Sequence, residues 1–406
     1  MYDLAVFIEW TELAARWLHI ITAIAWIGSS FYFIALDLGL RQVPKLPDGA
    51  YGEEWQVHGG GFYHIQKYLV APAAMPEHLT WFKWESYATW MSGFALMALL
   101  YYAGSDLYLI DPNIADISTP VAILLSIGSM VVVWYTYSAI CYSKFGDDNR
   151  RLMVLLYILL VALSWGFTKV FTGRAALLHL GAVTATIMAA NVFMVIIPNQ
   201  KIVVADLIAG RKPDPKYGQI AKQRSTHNNY LTLPVIFLMM SNHYPLTFAT
   251  EYNWIIGSLV FLMGVTIRHY FNSVHARKGN PHWTWAATTI LFFIIMWLSL
   301  LPAQNQSEAM LTKSQEKYMA AANFEQVHDI VLGRCSMCHA AEPVYDGVLW
   351  APKGVKLETG AQIASYAKDI YLQAGITHAM PPANLSYMED SERMVIANWF
   401  KSVSYF

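Results

Sequence analysis

Long apolar runs dominate the chain up to about position 302, separated by short polar intervals. A run of about twenty apolar residues is long enough to cross the hydrocarbon core of a bilayer as a helix. Eight such runs are present, at roughly 12–36, 82–103, 119–141, 152–171, 175–198, 230–248, 254–273 and 283–302. The first does not read as a cleavable leader, because acidic Asp3, Glu9 and Glu12 stand where a basic segment is required. Residues 303–322, with Gln, Ser, Lys, Glu and Ala, read as a polar and partly helical linker. From residue 323 to 406 the composition is that of a small soluble domain. The pattern predicts an all-α chain: an eight-helix transmembrane bundle over 1–302, the linker, and a small α-helical domain.

Composition supports the bilayer reading. Of 406 residues, 56% are hydrophobic and 14% charged, against about 25% charged in soluble proteins. Fifteen Trp and twenty-four Tyr suit membrane–water interfaces. Three cysteines exclude a disulfide framework, and Cys141, alone at the end of an apolar run, reads as a packed core residue. No nucleic-acid partner is expected.

Two of the cysteines lie in Cys335-Ser336-Met337-Cys338-His339. Covalent haem attachment needs two thiols to add across the vinyl groups and an imidazole directly after them to ligate the iron. This run supplies all three, so haem c is the expected cofactor. A zinc site would need a fourth ligand, and there is no second cysteine pair. Met380, in His378-Ala379-Met380-Pro381-Pro382, is the expected sixth ligand, with His378 as the competitor. A His/Met pair raises the reduction potential, which suits an electron acceptor. A final amphipathic helix at about 389–402 should pack Val395 and Trp399 against a helix holding Phe324, Val327, Ile330 and Val331. The domain reads as a class I cytochrome c.

Haem attachment of this kind occurs outside the bacterial cytoplasm, which places the C-terminus outside, and an even number of spans places the N-terminus there too. Loops 37–81, 142–151, 199–229 and 274–282 then face the cytoplasm and carry Arg41, Lys67, Arg150, Arg211, Lys222 and Arg277 among others. The outer loop 104–118 has no Lys or Arg but holds Asp106, Asp111 and Asp116. This is the positive-inside pattern. It predicts a bacterial inner-membrane protein with both termini and the cytochrome in the periplasm.

Ionisable residues inside spans are costly, so each is a functional candidate. His19, His179 and His243 fall in the outer halves of their spans, with Arg16 one turn before His19. They could hold a haem b by bis-imidazole ligation, or hydrogen-bond between helices; both readings stand. Trp17-Leu18-His19 followed by Ala25-Trp26-Ile27-Gly28 resembles the first helix of several bacterial membrane families that bind haem b. Lys83 and Glu85 open the second span, and Arg268 and His269 lie toward the inner end of the seventh. His58, His64, His78, His227, His275 and His282 form an inner group of mostly interfacial or loop residues. The run Gly59-Gly60-Gly61 could bring backbone close to a ligand or to a neighbouring helix.

Trp81-Phe82-Lys83-Trp84-Glu85, Thr89-Trp90 with Ser92-Gly93, His227-Asn228-Asn229-Tyr230 and Ser241-Asn242-His243-Tyr244-Pro245 together resemble one family. It is the membrane-bound urate oxidase (urate hydroxylase) of proteobacteria, an eight-helix domain fused to a cytochrome c, and the resemblance covers essentially the whole chain. It implies oxidation of urate to 5-hydroxyisourate, with electrons leaving through the cytochrome to a respiratory carrier and terminal oxidase and no peroxide formed. An anionic, planar, nitrogen-rich ring needs a cation or amide for its carbonyls, an aromatic wall and a base. Lys83, Glu85, Arg16, Asn242 and Arg268 are the polar candidates for catalysis, with Trp81, Trp84 or Trp90 as wall. Lys83 and Glu85, two apart on a helix, cannot face one another, and Lys83 could equally snorkel. Two rivals remain: a quinol-linked electron-transfer cytochrome without urate chemistry, and a transporter-like bundle with a redox sensor.

Overall fold

A computed structural model describes residues 4–69, 72, 76–301 and 310–404. Asp3, much of the linker (303–309) and the boundary placed at 302 lie outside the described residues. A helix occupies each of the expected apolar runs. They are α1 (Leu4–Gly39), α2 (Trp84–Met97, continued by a π-helical turn Ala98–Tyr102), α3 (Thr119–Tyr142) and α4 (Asn149–Phe167). Next come α5 (Gly173–Ala190, a π-helical turn Asn191–Ile196, then Ile197–Ile208), α6 (Pro215–Ser241), α7 (Asn253–His275) and α8 (Trp283–Ser299).

Five of these, α1, α3, α4, the whole of α5 and α7, are long and apolar enough to cross a membrane; α8 is apolar but shorter. The remaining two depart for physical reasons. α2 carries Glu85, Ser86, Thr89 and Ser92, and α6 buries a polar row, Arg224, His227, Asn228, Asn229 and Thr232, so both have lowered hydropathy. The expected span 230–248 is thus misplaced: α6 begins fifteen residues earlier, at Pro215, with Asp214 capping it, and ends at Ser241. From Arg224 onward its polar row points into the protein, while Lys216, Gln219 and Lys222 stay exposed.

α5 is central, with Ala175, Ala176, Leu177, Leu180, Val183 and Ile187 buried. α1 lies at the edge, and Phe7, Trp10, Trp17 and Ile24 remain exposed along it, the surface that suits lipid. α2 runs antiparallel to α1. Phe33 meets Phe82 at 4.7 Å between ring centroids, and His19 meets Gly93 near the other end.

The all-α expectation needs correction between α1 and α2. Residues Ala50–His58 (β1) and Gly61–Tyr68 (β2) pair as an antiparallel hairpin. The glycine run is its turn: Gly59 (φ +60°) and Gly60 (φ +80°) take left-handed conformations that favour glycine. They serve the turn rather than a ligand. The hairpin is tied to α1 by the Lys67–Asp37 ion pair and the Tyr32–Gln56 hydrogen bond of 2.7 Å.

The C-terminal unit holds α9 (Lys313–Met319), α10 (Phe324–Arg334), α11 (Gly360–Ser365) and α12 (Asp390–Ser404). Its core is Val327, Val331, Ile363, Ile396 and Trp399, all fully buried. Trp399 lies 5.9 Å from the Phe324 ring and donates its indole N–H to the Tyr318 carbonyl at 3.0 Å. α12 thus packs across α10 through Trp399, and Val395 lines the same core.

This unit sits on the end of the bundle where α1 begins. Ala5 and Val6 of α1 pack against its core. Lys368 bridges Glu9 (3.2 Å) and Glu12 (3.1 Å), one turn apart on α1. Met310 donates its backbone N–H to Asn113 Oδ1 at 2.9 Å. Burial works against the Lys368 charge, but Glu12 and Glu9 more than compensate, so its pKa lies above that of free lysine. The contact is therefore complete below the ordinary lysine pKa and is lost as pH rises through the raised value. Lys368→Ala should weaken docking by about 1 kcal/mol, read as faster limited proteolysis between bundle and C-terminal unit; an unchanged rate would show that docking does not depend on this lysine.

Candidate functional site

Three polar centres stand out. The first is in the C-terminal unit. Cys335 caps the end of α10, and the backbone N–H groups of Cys338 (3.1 Å) and His339 (2.9 Å) both donate to the Cys335 carbonyl, so the motif is one tight turn. His339 Nδ1–H donates to the Val355 carbonyl at 3.0 Å, which leaves Nε2 as the free lone pair. Burial pushes the Cys335 thiol up to about 12. A thioether formed there carries no charge, so its burial costs little. Met380 is exposed on a strap that Arg393 holds by its Nη1, donating to the carbonyls of Ala374 (2.6 Å) and Met380 (2.9 Å). Val344, Leu349, Trp350 and Leu385, on segments flanking the motif, are exposed apolar groups of the kind a porphyrin covers. The residues fit a haem c. Among the described residues no three His, Cys, Asp or Glu converge as a metal-ion site.

The second centre lies at the bundle end beneath this unit. Arg16 Nη1–H donates to His243 Nε2 at 3.3 Å. Arg174 lies over the Tyr108 ring at 4.9 Å and the Tyr101 ring at 5.9 Å. The buried Tyr101 hydroxyl faces Arg174 and Asn242 without completing a hydrogen bond to either. Below them His179 is fully buried, its ring 6.0 Å from Tyr101 and 4.7 Å from Phe171. His179 Nδ1–H donates to the Ala175 carbonyl at 2.8 Å, and Nε2 has no partner among the described residues.

The third centre is around α6, about 22 Å along the helix from Asn242 to His227. Tyr137 Oη bonds His227 Nδ1 (2.8 Å), and Asn191, in the π turn of α5, donates to Tyr137 (3.2 Å) and to Asn228 Oδ1 (2.9 Å). Arg224 is fully buried over the Tyr137 ring at 4.8 Å. On the other side of α6, Arg268 donates to Asn229 Oδ1 (3.3 Å) and Asn272 Oδ1 (3.0 Å) beneath Phe31. Beside Asn272 a cavity of about 210 Å³ is lined by Tyr230, His269, Lys222, Lys278 and Asp37 among others.

The expected catalytic set is not one site. Lys83, next to Phe82, sits at the level of Phe33, and Arg16 is seventeen residues earlier on α1, about 25 Å away. Glu85 belongs with Lys83, and Asn242 with Arg16. Lys83 lies over the Trp84 ring at 5.6 Å. Trp90 donates its indole N–H to Thr186 on α5 at 3.0 Å, a helix-pinning contact.

The expected haem b ligands also separate. His19 Nδ1–H donates to the Thr89 carbonyl at 3.0 Å, with Ser92 Oγ at 3.2 Å, and the ring lies on Gly93. His179 is enclosed by Phe167, Phe171 and Tyr101, and His243 pairs with Arg16. Among the described residues no contact joins any two of these three imidazoles, which have separate surroundings. The inner histidines scatter as well: His64 pairs with Glu53 in the hairpin at 2.7 Å, His227 is buried, and His282 opens α8. Arg174, Tyr101 and Tyr137 escaped the sequence reading because an aromatic residue or a single arginine near a span end carries no spacing signal.

Thr89, Ser92 and Gly93 therefore form a seat for His19. A methyl group at Gly93 would approach His19 Cε1 within 2.7 Å, whereas Gly128 has open space. Gly93→Ala should lose roughly 1–3 kcal/mol through overpacking, while Gly128→Ala should hold or raise stability by up to about 1 kcal/mol. Thermal unfolding midpoints of the two variants in detergent check this.

No curated protein and no solved structure matches the chain. A family model, urate oxidase N-terminal, matches residues 5–299, the span that includes α1 to α8 and both polar centres of the bundle. The chain belongs to the urate oxidase N-terminal family, whose name indicates urate-related oxidation.

Proposed function

We propose that this protein is a membrane-embedded urate oxidase in which α1 to α8 form the transmembrane bundle. It takes urate to 5-hydroxyisourate and delivers the electrons to a haem c in its C-terminal unit. From there they pass to a respiratory carrier and terminal oxidase, and no peroxide is released. The reading places the protein in a bacterial inner membrane with the cytochrome on the periplasmic side.

One observation carries the coupling. A single segment, residues 352–357, runs from the bundle end beside His243 to the haem motif. Gly354, in a left-handed conformation (φ +71°), is packed on Pro245, and Lys353 acts on His243 through its charge. Two residues on, the Val355 carbonyl accepts from His339. Residues 353–355 thus bridge from Pro245, two residues beyond His243, to His339.

Cys335 and Cys338 would hold the haem, His339 would ligate it, and Met380, fixed by Arg393, would supply the sixth ligand. When bound, the group supplies a one-electron acceptor at this end of the bundle. The chain's own residues do the rest. Arg16 and Arg174 set a positive field for an anionic substrate. The C-terminal unit, docked through Lys368, covers that end of the bundle.

A pyridine haemochrome spectrum of the purified protein should be purely c-type, and Cys338→Ala should lose one of the two thioether links. Under anaerobic conditions urate should reduce the haem c absorption band. Reduction by quinol but not by urate would instead support the electron-transfer cytochrome.

A further inference from the structure

We infer that the oxopurine anion binds at the second centre, between Arg16, Arg174, Tyr101 and Asn242, with His179 Nε2 as its proton acceptor. The inference rests on the urate reading and adds the site and its chemistry.

Four buried polar atoms here lack a hydrogen-bond partner among the described residues: Tyr101 Oη, Arg174 Nε, Asn242 Oδ1 and His179 Nε2. Orphaned buried groups cost free energy, so a cluster of them points to a ligand that completes them. The set matches an oxopurine edge. Arg174 donates, Asn242 Oδ1 accepts from a ring N–H, and the Tyr101 hydroxyl can do either. The cluster grades from exposed His243 and half-buried Arg16 down to fully buried His179, a polar descent from the junction with the C-terminal unit. Two guanidiniums without a carboxylate within salt-bridge distance among the described residues favour an anion over a neutral purine.

The third centre is the competing location. Arg224 Nε and Nη2, His227 Nε2 and Asn229 Nδ2 are unpartnered there too, but Arg224 and His227 already engage Tyr137, and the centre lies about 22 Å along α6 from Asn242, away from residues 352–357.

The chemistry closes at the second centre. His179 Nδ1–H is committed to Ala175, so Nε2 carries the unpartnered lone pair, on a ring 6.0 Å from that of Tyr101, and can act as a base. The urate monoanion gives up two electrons, one at a time, to the one-electron acceptor of the C-terminal unit, and one ring N–H proton to His179. The neutral product has a C5=N double bond. Water then adds across that bond: its O–H breaks, the hydroxyl joins C5 and the proton joins the ring nitrogen. Urate monoanion plus water thus yields 5-hydroxyisourate, two electrons and one proton.

The test uses detergent-purified holoprotein and two readouts, xanthine binding by calorimetry and anaerobic reduction of the haem c band by urate. Arg174→Gln should weaken xanthine binding about tenfold or more. His179→Gln should leave binding within about threefold but slow urate-driven reduction about 100-fold or more, while dithionite still reduces the haem fully. Tyr101→Phe keeps the ring and its packing, so it remains informative if the other variants misfold; it should weaken xanthine binding several-fold. Wild-type binding and reduction in folded Arg174→Gln, or in Tyr101→Phe if that variant alone folds, would overturn the inference. So would loss of binding in Arg224→Gln or Arg268→Gln with Arg174→Gln unaffected, because that result would move the site to the third centre. Failure of urate to reduce the wild-type haem would instead strike the function proposed above.

Discussion

A polar side chain placed between apolar helices has no water to fall back on, and its partner must come from another helix. The bundle is organised by that constraint. His19 is held by the Thr89 carbonyl on α2, Trp90 of α2 by Thr186 on α5, and Asn228 of α6 by the Met188 carbonyl on α5 at 2.9 Å. Each bond joins two helices at one fixed height. Apolar packing alone would tolerate sliding, because one apolar ridge resembles the next. The polar contacts remove that freedom and set the register of α1 on α2 and of α6 on α5.

The same constraint explains the two π-helical turns described in the bundle. Each leaves the regular helical ladder locally, and each does so beside a polar centre. Ala98–Tyr102 contains Tyr101, and Asn191–Ile196 opens with Asn191. A π turn rotates the following side chains relative to a regular helix, and such turns recur at functional sites. Here they accompany the aromatic hydroxyl of the second centre and the amide that links Tyr137 to Asn228.

Residues 352–357 give the two-part chain a working geometry. A C-terminal unit tethered only by a linker would sample many distances from the bundle. The contacts of Lys368 with α1, Met310 with Asn113 and Gly354 with Pro245 hold it in one orientation. That orientation puts the C-terminal unit over one end of the bundle and leaves the hairpin end, with Lys83 and Glu85, on the far side.

Much of this was legible in residue order, because hydrophobic periodicity and the C-x-x-C-H turn are local properties. The helices, the motif with its imidazole, the final helix with Trp399 and the family motifs all depend on near neighbours along the chain. Where a helix carries its polar residues inward, as α6 does from Arg224, hydropathy misplaces its start. The hairpin was missed because the polar residues of 50–68 alternate too weakly with their apolar neighbours to signal strands. Residue type grouped Lys83 with Arg16 across about 25 Å of α1. Only the tertiary structure decided that Arg174, Tyr101, His179 and Asn242, from three different stretches of chain, meet under the C-terminal unit. Convergence of that kind is set by helix packing and docking, and neither is encoded in the spacing of any single segment.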